Sequence, residues 1–237
     1  LFYVRKHLKD LFPRQLSYNR FVELESRVCL EMMLFLQLFC FGRCTGISFV
    51  DSTCVPVCHN KRITRNKVFK GYAEIGKSTM GWYFGFKLHL ICNERGELLN
   101  FMLTKANVDD RNDDVFNRLS DNVFGKLFAD KGYISQKLFD RLFNDGINLV
   151  TGLKCNMKNK LIPLYDKILL RKRSVIETIN DELKNVAQLV HSRHRSVYNF
   201  CMNVLSVLVA YSFFEKKPSI NIDYCIDAND NCLPILK

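Results

Sequence analysis

The spacing of apolar and polar positions divides the chain before any composition is considered. Over residues 5–12 and 18–41 apolar side chains recur at helical spacing, with a break at Pro13. From Gly46 the period shortens to two. Residues 47–57 (ISFVDSTCVPV) predict a first strand, with Asp51 in or just past its buried part. Residues 83–92 (YFGFKLHLIC) alternate strongly, Asn93-Glu94-Arg95-Gly96 is a turn, and residues 97–104 return as a third strand. A helix follows over 109–120, then a short apolar strand over 123–130 that ends in Asp130. Residues 135–144 predict a helix stopped by Asp145-Gly146, and Ile147–Thr151 a fifth strand. A basic loop then leads to a helix over 171–185 and a closing apolar helix near 196–215. Three antiparallel strands followed by strand–helix units predict an α/β fold: a mixed five-stranded sheet, later strands parallel, with helices on its faces. The expected division is a helical N-terminal region (1–45), a sheet domain (46–215) and a tail (216–237), poorly ordered after Pro218.

The helix over 171–185 carries two stripes. At about 100° per residue, Ile176, Ile179, Leu183, Val186 and Val190 share one apolar side, which would face a core. Arg173, Glu177 and Lys184 share a neighbouring polar stripe, with Asp181 at its edge. Alone, such a stripe is more often a solvated face. Two aspartates upstream change the weighing. In the expected sheet the first and fourth strands are neighbours, so Asp51 and Asp130 come together near its centre, and the helix crossing the sheet can bring Glu177 to them. Three convergent carboxylates repel one another unless cations are present. Hard oxygen ligands with open positions suit two Mg²⁺ or Mn²⁺ ions, which can activate a water or a 3′-hydroxyl for attack on a phosphodiester. Lys184 is then placed to touch a phosphate, and Arg173 to pin the helix or the DNA backbone.

Charge supports that direction. With 35 Lys and Arg against 24 Asp and Glu the chain is formally +11, which favours a polyanionic partner, most simply nucleic acid, with an anionic membrane surface as the competitor. A hydrophobic fraction of 48% with 19 Phe excludes a disordered chain. The apolar runs at 28–41, interrupted by Glu31, and 200–214 fall short of the roughly 18–20 residues of a membrane span. No signal-peptide pattern opens the chain, so a soluble cytoplasmic protein is expected. Cys40, Cys44, Cys54, Cys58 and His59 can be sketched as a zinc site, but their spacing matches no common finger or ribbon. Reduced, scattered, mostly buried thiols are the better expectation for the ten cysteines.

Two basic stretches flank the expected site. Residues 59–70 hold Lys61, Arg62, Arg65, Lys67 and Lys70 without an acid, and residues 154–173 hold seven cations against the single Asp166. Both are expected as loops that hold backbone phosphates, solvated loops being the alternative for each alone. His191 to Arg195 would extend that surface. Lys87 and His89 lie on one face of the central hairpin, where His89 either orients a phosphate or water or is a hydrogen-bonded structural histidine. The acidic cluster Asp109, Asp110, Asp113 and Asp114 opens a helix, where capping is the favoured reading over metal binding. Asp181 reads as a surface group or a neighbour of the site.

In this combination the chain resembles the DDE-type transposases of bacterial insertion sequences, whose catalytic core is RNase H-like. Arg173-x3-Glu177-x6-Lys184 matches the Y-x2-R-x3-E-x6-K signature around the family's catalytic glutamate, with Leu170 at the tyrosine position. Phe49-Val50-Asp51-Ser52-Thr53 is similar to the first-aspartate strand, and Leu127-Phe128-Ala129-Asp130-Lys131-Gly132-Tyr133 to the second. Gly85 to Leu90 and Thr104 to Arg111 resemble linking segments. With no long insertion between Asp130 and Glu177, the likeness is to the nine-eighty-two family of insertion sequences. The resemblance implies Asp51, Asp130 and Glu177 as catalytic, metal-binding residues acting on two Mg²⁺ or Mn²⁺ ions. It implies cleavage and strand transfer at terminal inverted repeats and target DNA, by a homodimer on DNA in the nucleoid. A nuclease that cuts without joining, and a truncated DNA-binding remnant without catalysis, are the alternatives. The short helical region before Gly46 and the non-methionine Leu1 favour the remnant; the retained carboxylates and Lys184 favour the enzyme.

Overall fold

The computed structural model describes residues 2–153, 157, 161–190, 194–220, 222–223 and 235–236. Short helices open the chain: α1 (Phe2–His7), α2 (Tyr18–Glu25), a 3₁₀ turn (Ser26–Val28), α3 (Cys29–Phe35) and a π-helical turn (Leu36–Cys40). The single helix expected over 18–41 is thus broken in register, and α3 with the π turn packs against the later helix α8 (Val197–Ser212), where Phe35 stacks on Phe213.

The sheet begins where the period changes. Strand β1 (Ile47–Cys58) is followed by β2 (Glu74–Ser78), β3 (Gly81–Asn93), β4 (Leu98–Lys105), β5 (Gly125–Ala129) and β6 (Ile147–Thr151). β3 lies antiparallel to β1 on one side, with β2 and β4 sharing its other edge; β1, β5 and β6 run parallel. The sheet therefore has six strands rather than five. β2 was missed because Glu74-Ile75-Gly76-Lys77-Ser78 holds one large apolar residue and no alternation.

Period-two alternation sorts the side chains into two cores. Phe49, Leu88, Leu90 and Phe128 face one side of the sheet. There they meet Ile176, Ile179 and Leu183 of α7 (Ser174–Asn185) and Phe200, Val204 and Leu208 of α8. Val50, Ile91, Leu127 and Leu149 face the other side, against Val115, Phe116 and Leu119 of α4 (Asp113–Leu119) and Leu138 and Leu142 of α5 (Gln136–Asn144). Each fully buried Leu, Ile or Phe contributes about 1.5–3 kcal/mol, so these two apolar layers hold the sheet between its helices. The β3–β4 turn is drawn tight by Asn93, whose Oδ1 accepts the amides of Arg95 (3.0 Å) and Glu97 (2.9 Å). Gly96 has φ +74°, and a Cβ there would meet the Pro218 carbonyl at 2.1 Å, so no other residue fits.

The second half departs from expectation at one place that matters. The helix drawn over 171–185 is two helices, α6 (Leu164–Lys172) and α7, meeting at Arg173. The Arg173 carbonyl accepts the Ile176 amide (3.1 Å), so the chain tightens into a 3₁₀-like turn there. Most of the basic segment expected as a loop over 154–173 is α6 where it is described. Its one acid, Asp166, is buried and pairs with Lys126 at 2.6 Å. Lys154, Lys158, Lys160 and residues 191–193 lie outside the described residues, as does most of the tail, apart from a two-residue ladder of β7 (Ile222–Asp223) with β8 (Ile235–Leu236).

Candidate active site

Parallel pairing of β1 with β5 runs Ile47–Lys126, Ser48–Leu127, Phe49–Phe128. Two residues further on, at the same level of the sheet, stand Asp51 and Asp130. β1 continues past this point because it remains paired to β3, Asp51 opposite Leu90, whereas β5 ends at Ala129. Asp130 opens a 3₁₀ turn (Lys131–Tyr133) without capping it, which leaves its carboxylate uncommitted to the backbone. α7 crosses β1 on the side that Asp51 faces, held there by Ile176, Ile179 and Leu183, and presents Glu177 in its first turn.

The three carboxylates meet on one guanidinium. Arg173 Nη2 donates to Glu177 Oε1 at 2.5 Å, Nη1 lies 3.7 Å from Asp51 Oδ1, and Nη2 lies 4.0 Å from Asp130 Oδ1. An arginine at a helix N-terminus opposes the helix dipole, and the surrounding acids offset that cost. The break between α6 and α7 turns Arg173 inward: its side chain is 17% exposed, while Asp130 and Glu177 remain more than half exposed. Asp51 is the least exposed of the three acids, its side chain 22% exposed. Burial, with the Glu177 charge adding to it, raises its pKa to about 6, against the opposing pull of Arg173, the Ser52 amide and Asn180.

Asn180 is the residue that sequence reasoning missed. It lies on α7 beside the apolar stripe, is buried, and donates from Nδ2 to Asp51 Oδ2 at 3.0 Å. An amide among core positions Ile176, Ile179 and Leu183 was the available signal, since a buried Asn needs a partner.

The donor set fits divalent cations: three hard carboxylates on a half-exposed surface, held against a single positive charge. As they stand they bracket Arg173, and among the described residues no three His, Cys, Asp or Glu side chains close on a common point. Among the described residues no group of three metal ligands supports the zinc sketch, the cysteines Cys29, Cys40, Cys44, Cys54, Cys58, Cys92 and Cys201 are free, and of these seven only Cys92 is buried, fewer than expected.

The cations expected to meet DNA divide into two groups. Lys61, Arg62 and Arg65 lie exposed on a 3₁₀ helix (Asn60–Arg65) in place of the expected loop, with Lys67 and Lys70 exposed beyond it and Phe69 buried as their anchor. Lys184 is partly buried on α7, two turns from Glu177, and its ammonium makes no ion pair among the described residues. Lys87 and His89 are different. They project to the opposite side of the sheet from Asp51, where Lys87 Nζ pairs with Asp110 at 3.1 Å and donates to the Val108 carbonyl at 2.8 Å. His89 is fully buried, 2.9 Å from Thr104 Oγ1 and 3.8 Å from Asp110, and burial lowers its pKa to about 4. His89 is thus enclosed on the face away from Asp51 and tied to Thr104 and Asp110.

The acidic cluster is corrected in the same way. The helix starts at Asp113, capped by Asn112, whose Oδ1 accepts the Asp114 amide at 2.8 Å. Asp109 clasps Arg111, and Asp110 turns into the sheet. Asp181 is exposed and accepts from Asn185 at 2.6 Å.

Residues 41–197 match the transposase DDE domain, and the chain belongs to that family. Among solved structures it is similar to the piggyBac transposase synaptic complex with hairpin DNA (10% identity, TM-score 0.45, covering 71% of this chain and 47% of that one). It is also similar to the Mos1 strand transfer complex (13% identity, TM-score 0.28, covering 86% and 65%). The chain thus spans about half the length of the first. No curated protein matches it. No described helix is long and apolar enough to cross a membrane.

Proposed function

We propose that the chain is the catalytic domain of a DNA transposase of the insertion-sequence type, of the nine-eighty-two family, which cleaves DNA at terminal inverted repeats and joins it to target DNA as a homodimer. The observation that carries this reading is the meeting of Asp51 within β1, Asp130 just past the end of the parallel neighbour β5, and Glu177 of α7 on one side chain. These three carboxylates would hold two Mg²⁺ or Mn²⁺ ions, which when bound activate the attacking oxygen and stabilise the leaving one. The protein's own part is positional. Asn180 holds Asp51, and Arg173 offsets part of the cluster's negative charge until it turns from the carboxylates toward a DNA phosphate. Lys184 offers a second phosphate contact along the same helix, and Lys61, Arg62, Arg65 and Lys67 grip the backbone further out.

The test is a gel assay with labelled element-end DNA, in Mn²⁺, Mg²⁺ or EDTA, comparing wild type with Glu177→Gln. Metal-dependent nicking and joining by wild type alone is expected. Cutting without joining would indicate a nuclease. Binding without chemistry under every metal condition would overturn the enzyme reading in favour of a DNA-binding remnant.

A further inference from the structure

We infer that the cleft between the β2–β3 hairpin and the loop after β4 binds an unpaired nucleobase, with Trp82 as its stacking surface. The inference rests on the reading of the chain as a DNA-processing enzyme. The cleft holds about 430 Å³ and is lined by Lys77, Trp82, Asn107, Asp110 and Arg111, with Gly132, two residues beyond Asp130, at its border. It lies on the Lys87–Asp110 side of the sheet, and its Gly132 border is the turn that follows Asp130.

Trp82 is the chain's one tryptophan, and it is 61% exposed. Its backbone is held: it pairs with Lys77 across the hairpin, and its carbonyl accepts from Asn60 Nδ2 at 2.6 Å. The hairpin is pressed on the loop behind it, since a Cβ on Gly76 would meet the Ala106 carbonyl at 2.4 Å. The indole thus stands on a rigid wall with an ammonium, Lys77 Nζ, 5.7 Å from its ring centroid. A rigid, solvent-facing indole beside a cation is the arrangement on which bases of a single strand stack.

Charge decides between a base and a phosphate. Two of the three cations that line the cleft are already engaged: Asp109 holds Arg111 through two hydrogen bonds (2.9 and 2.6 Å), and Asp110 holds Lys87, while the third, Lys77, stands over the indole. What remains is a nearly neutral cavity with a flat apolar face and the polar edges of Asn107 and Asp110, which suits a nucleobase and not an anion. Beyond Lys77, further exposed cations lie outside it, on the 3₁₀ helix that Asn60 ties to Trp82, where Lys61, Arg62 and Arg65 are exposed. Base and phosphates are thereby given separate places along one strand. A duplex offers no free base face to the indole, so the ligand is an unpaired nucleotide.

The test uses the emission of the single tryptophan in the whole chain, in EDTA so that nothing is cut. A short single-stranded oligonucleotide, its blunt duplex, and an abasic sugar-phosphate strand of the same length are titrated in turn. Quenching by the single strand alone is expected. Trp82→Ala should weaken single-strand binding by about 5- to 150-fold while leaving the abasic strand unaffected, with Trp82→Phe intermediate. Equal quenching by the duplex or the abasic strand would overturn the inference, as would single-strand affinity within twofold of wild type in a folded Trp82→Ala protein. Metal-dependent cutting is read in parallel. Cutting without base-dependent quenching refutes the base site alone, and base-dependent quenching without cutting refutes the enzyme reading alone.

Discussion

The sheet carries a polar cluster on each face, and the two are built on opposite terms. On the α7 side, Asp51, Asp130 and Glu177 share a single arginine, and two of the three acids are more than half exposed. On the other side, Asp110 is matched by Lys87, and His89 is buried and neutral beside Thr104. The first cluster carries two more negative charges than positive and opens to solvent; in the second, Asp110 and Lys87 balance each other and are less exposed, with His89 fully buried. Excess charge on an accessible surface attracts cations and costs little when altered, whereas a balanced buried set supports the fold and costs much when one member is removed.

Removing a carboxylate from the open cluster should show that difference most strongly. Asp130→Asn is expected to reduce metal-dependent cutting by about 1000-fold or more, a loss of roughly 4 kcal/mol at the reacting centre. Urea unfolding of the same variant should stay within about 0.5 kcal/mol of wild type, because the side chain is largely exposed. A folding loss as large as the activity loss would erase the distinction. Lys87→Met should do the reverse, lowering stability by about 3 kcal/mol in urea melts by leaving Asp110 without its cation.

Acidity sharpens the comparison through two opposite signs. His89 has a native pKa near 4 against an ordinary 6.5, so the unfolded chain binds the extra proton and stability falls as pH drops through that window. Asp51 has a native pKa near 6 against 3.8, so the folded chain binds the proton first and stability rises as pH drops from about 6. Between pH 7 and 5 these amount to about −2 and +1 kcal/mol, largely offsetting each other. In metal-free urea melts, Asp51→Asn should therefore steepen the acid loss relative to wild type and His89→Gln should relieve it. Identical pH slopes in all three proteins would refute both assignments. The smallest effect is expected at Asn180. Asn180→Ala should cost about 1 kcal/mol in stability and weaken Mn²⁺ binding about tenfold, read by electron paramagnetic resonance titration.

Much of this site could be read from the chain alone, for a definite reason. Asp51 and Asp130 each end an apolar run, and an apolar run that must be buried on both faces can only be an inner strand; adjacent inner strands bring their ends together. Glu177 follows from the helical stripe Ile176, Ile179 and Leu183, which can face nothing but the sheet. The misses have equally specific causes. Lys87 and His89 alternate correctly on β3, but alternation does not say which face looks toward the carboxylates, and theirs is the opposite one. Asp110 looks like one more acid near a helix start until Lys87 is brought to it from 23 residues away.

What the sequence determined by itself is local: the period of each segment, hence strand or helix, and the chemistry each can offer. The order of elements then limits how strands neighbour one another, which brings the two aspartates together. What only the tertiary structure decided is the wiring. The break at Arg173 turns one cation onto three acids, Asn180 reaches Asp51 across 129 residues, and the two faces of the sheet receive different charge balances. Those outcomes depend on ångström-scale placement of side chains contributed by distant segments. Hydrogen bonds and ion pairs are too short-ranged for periodicity to foretell them.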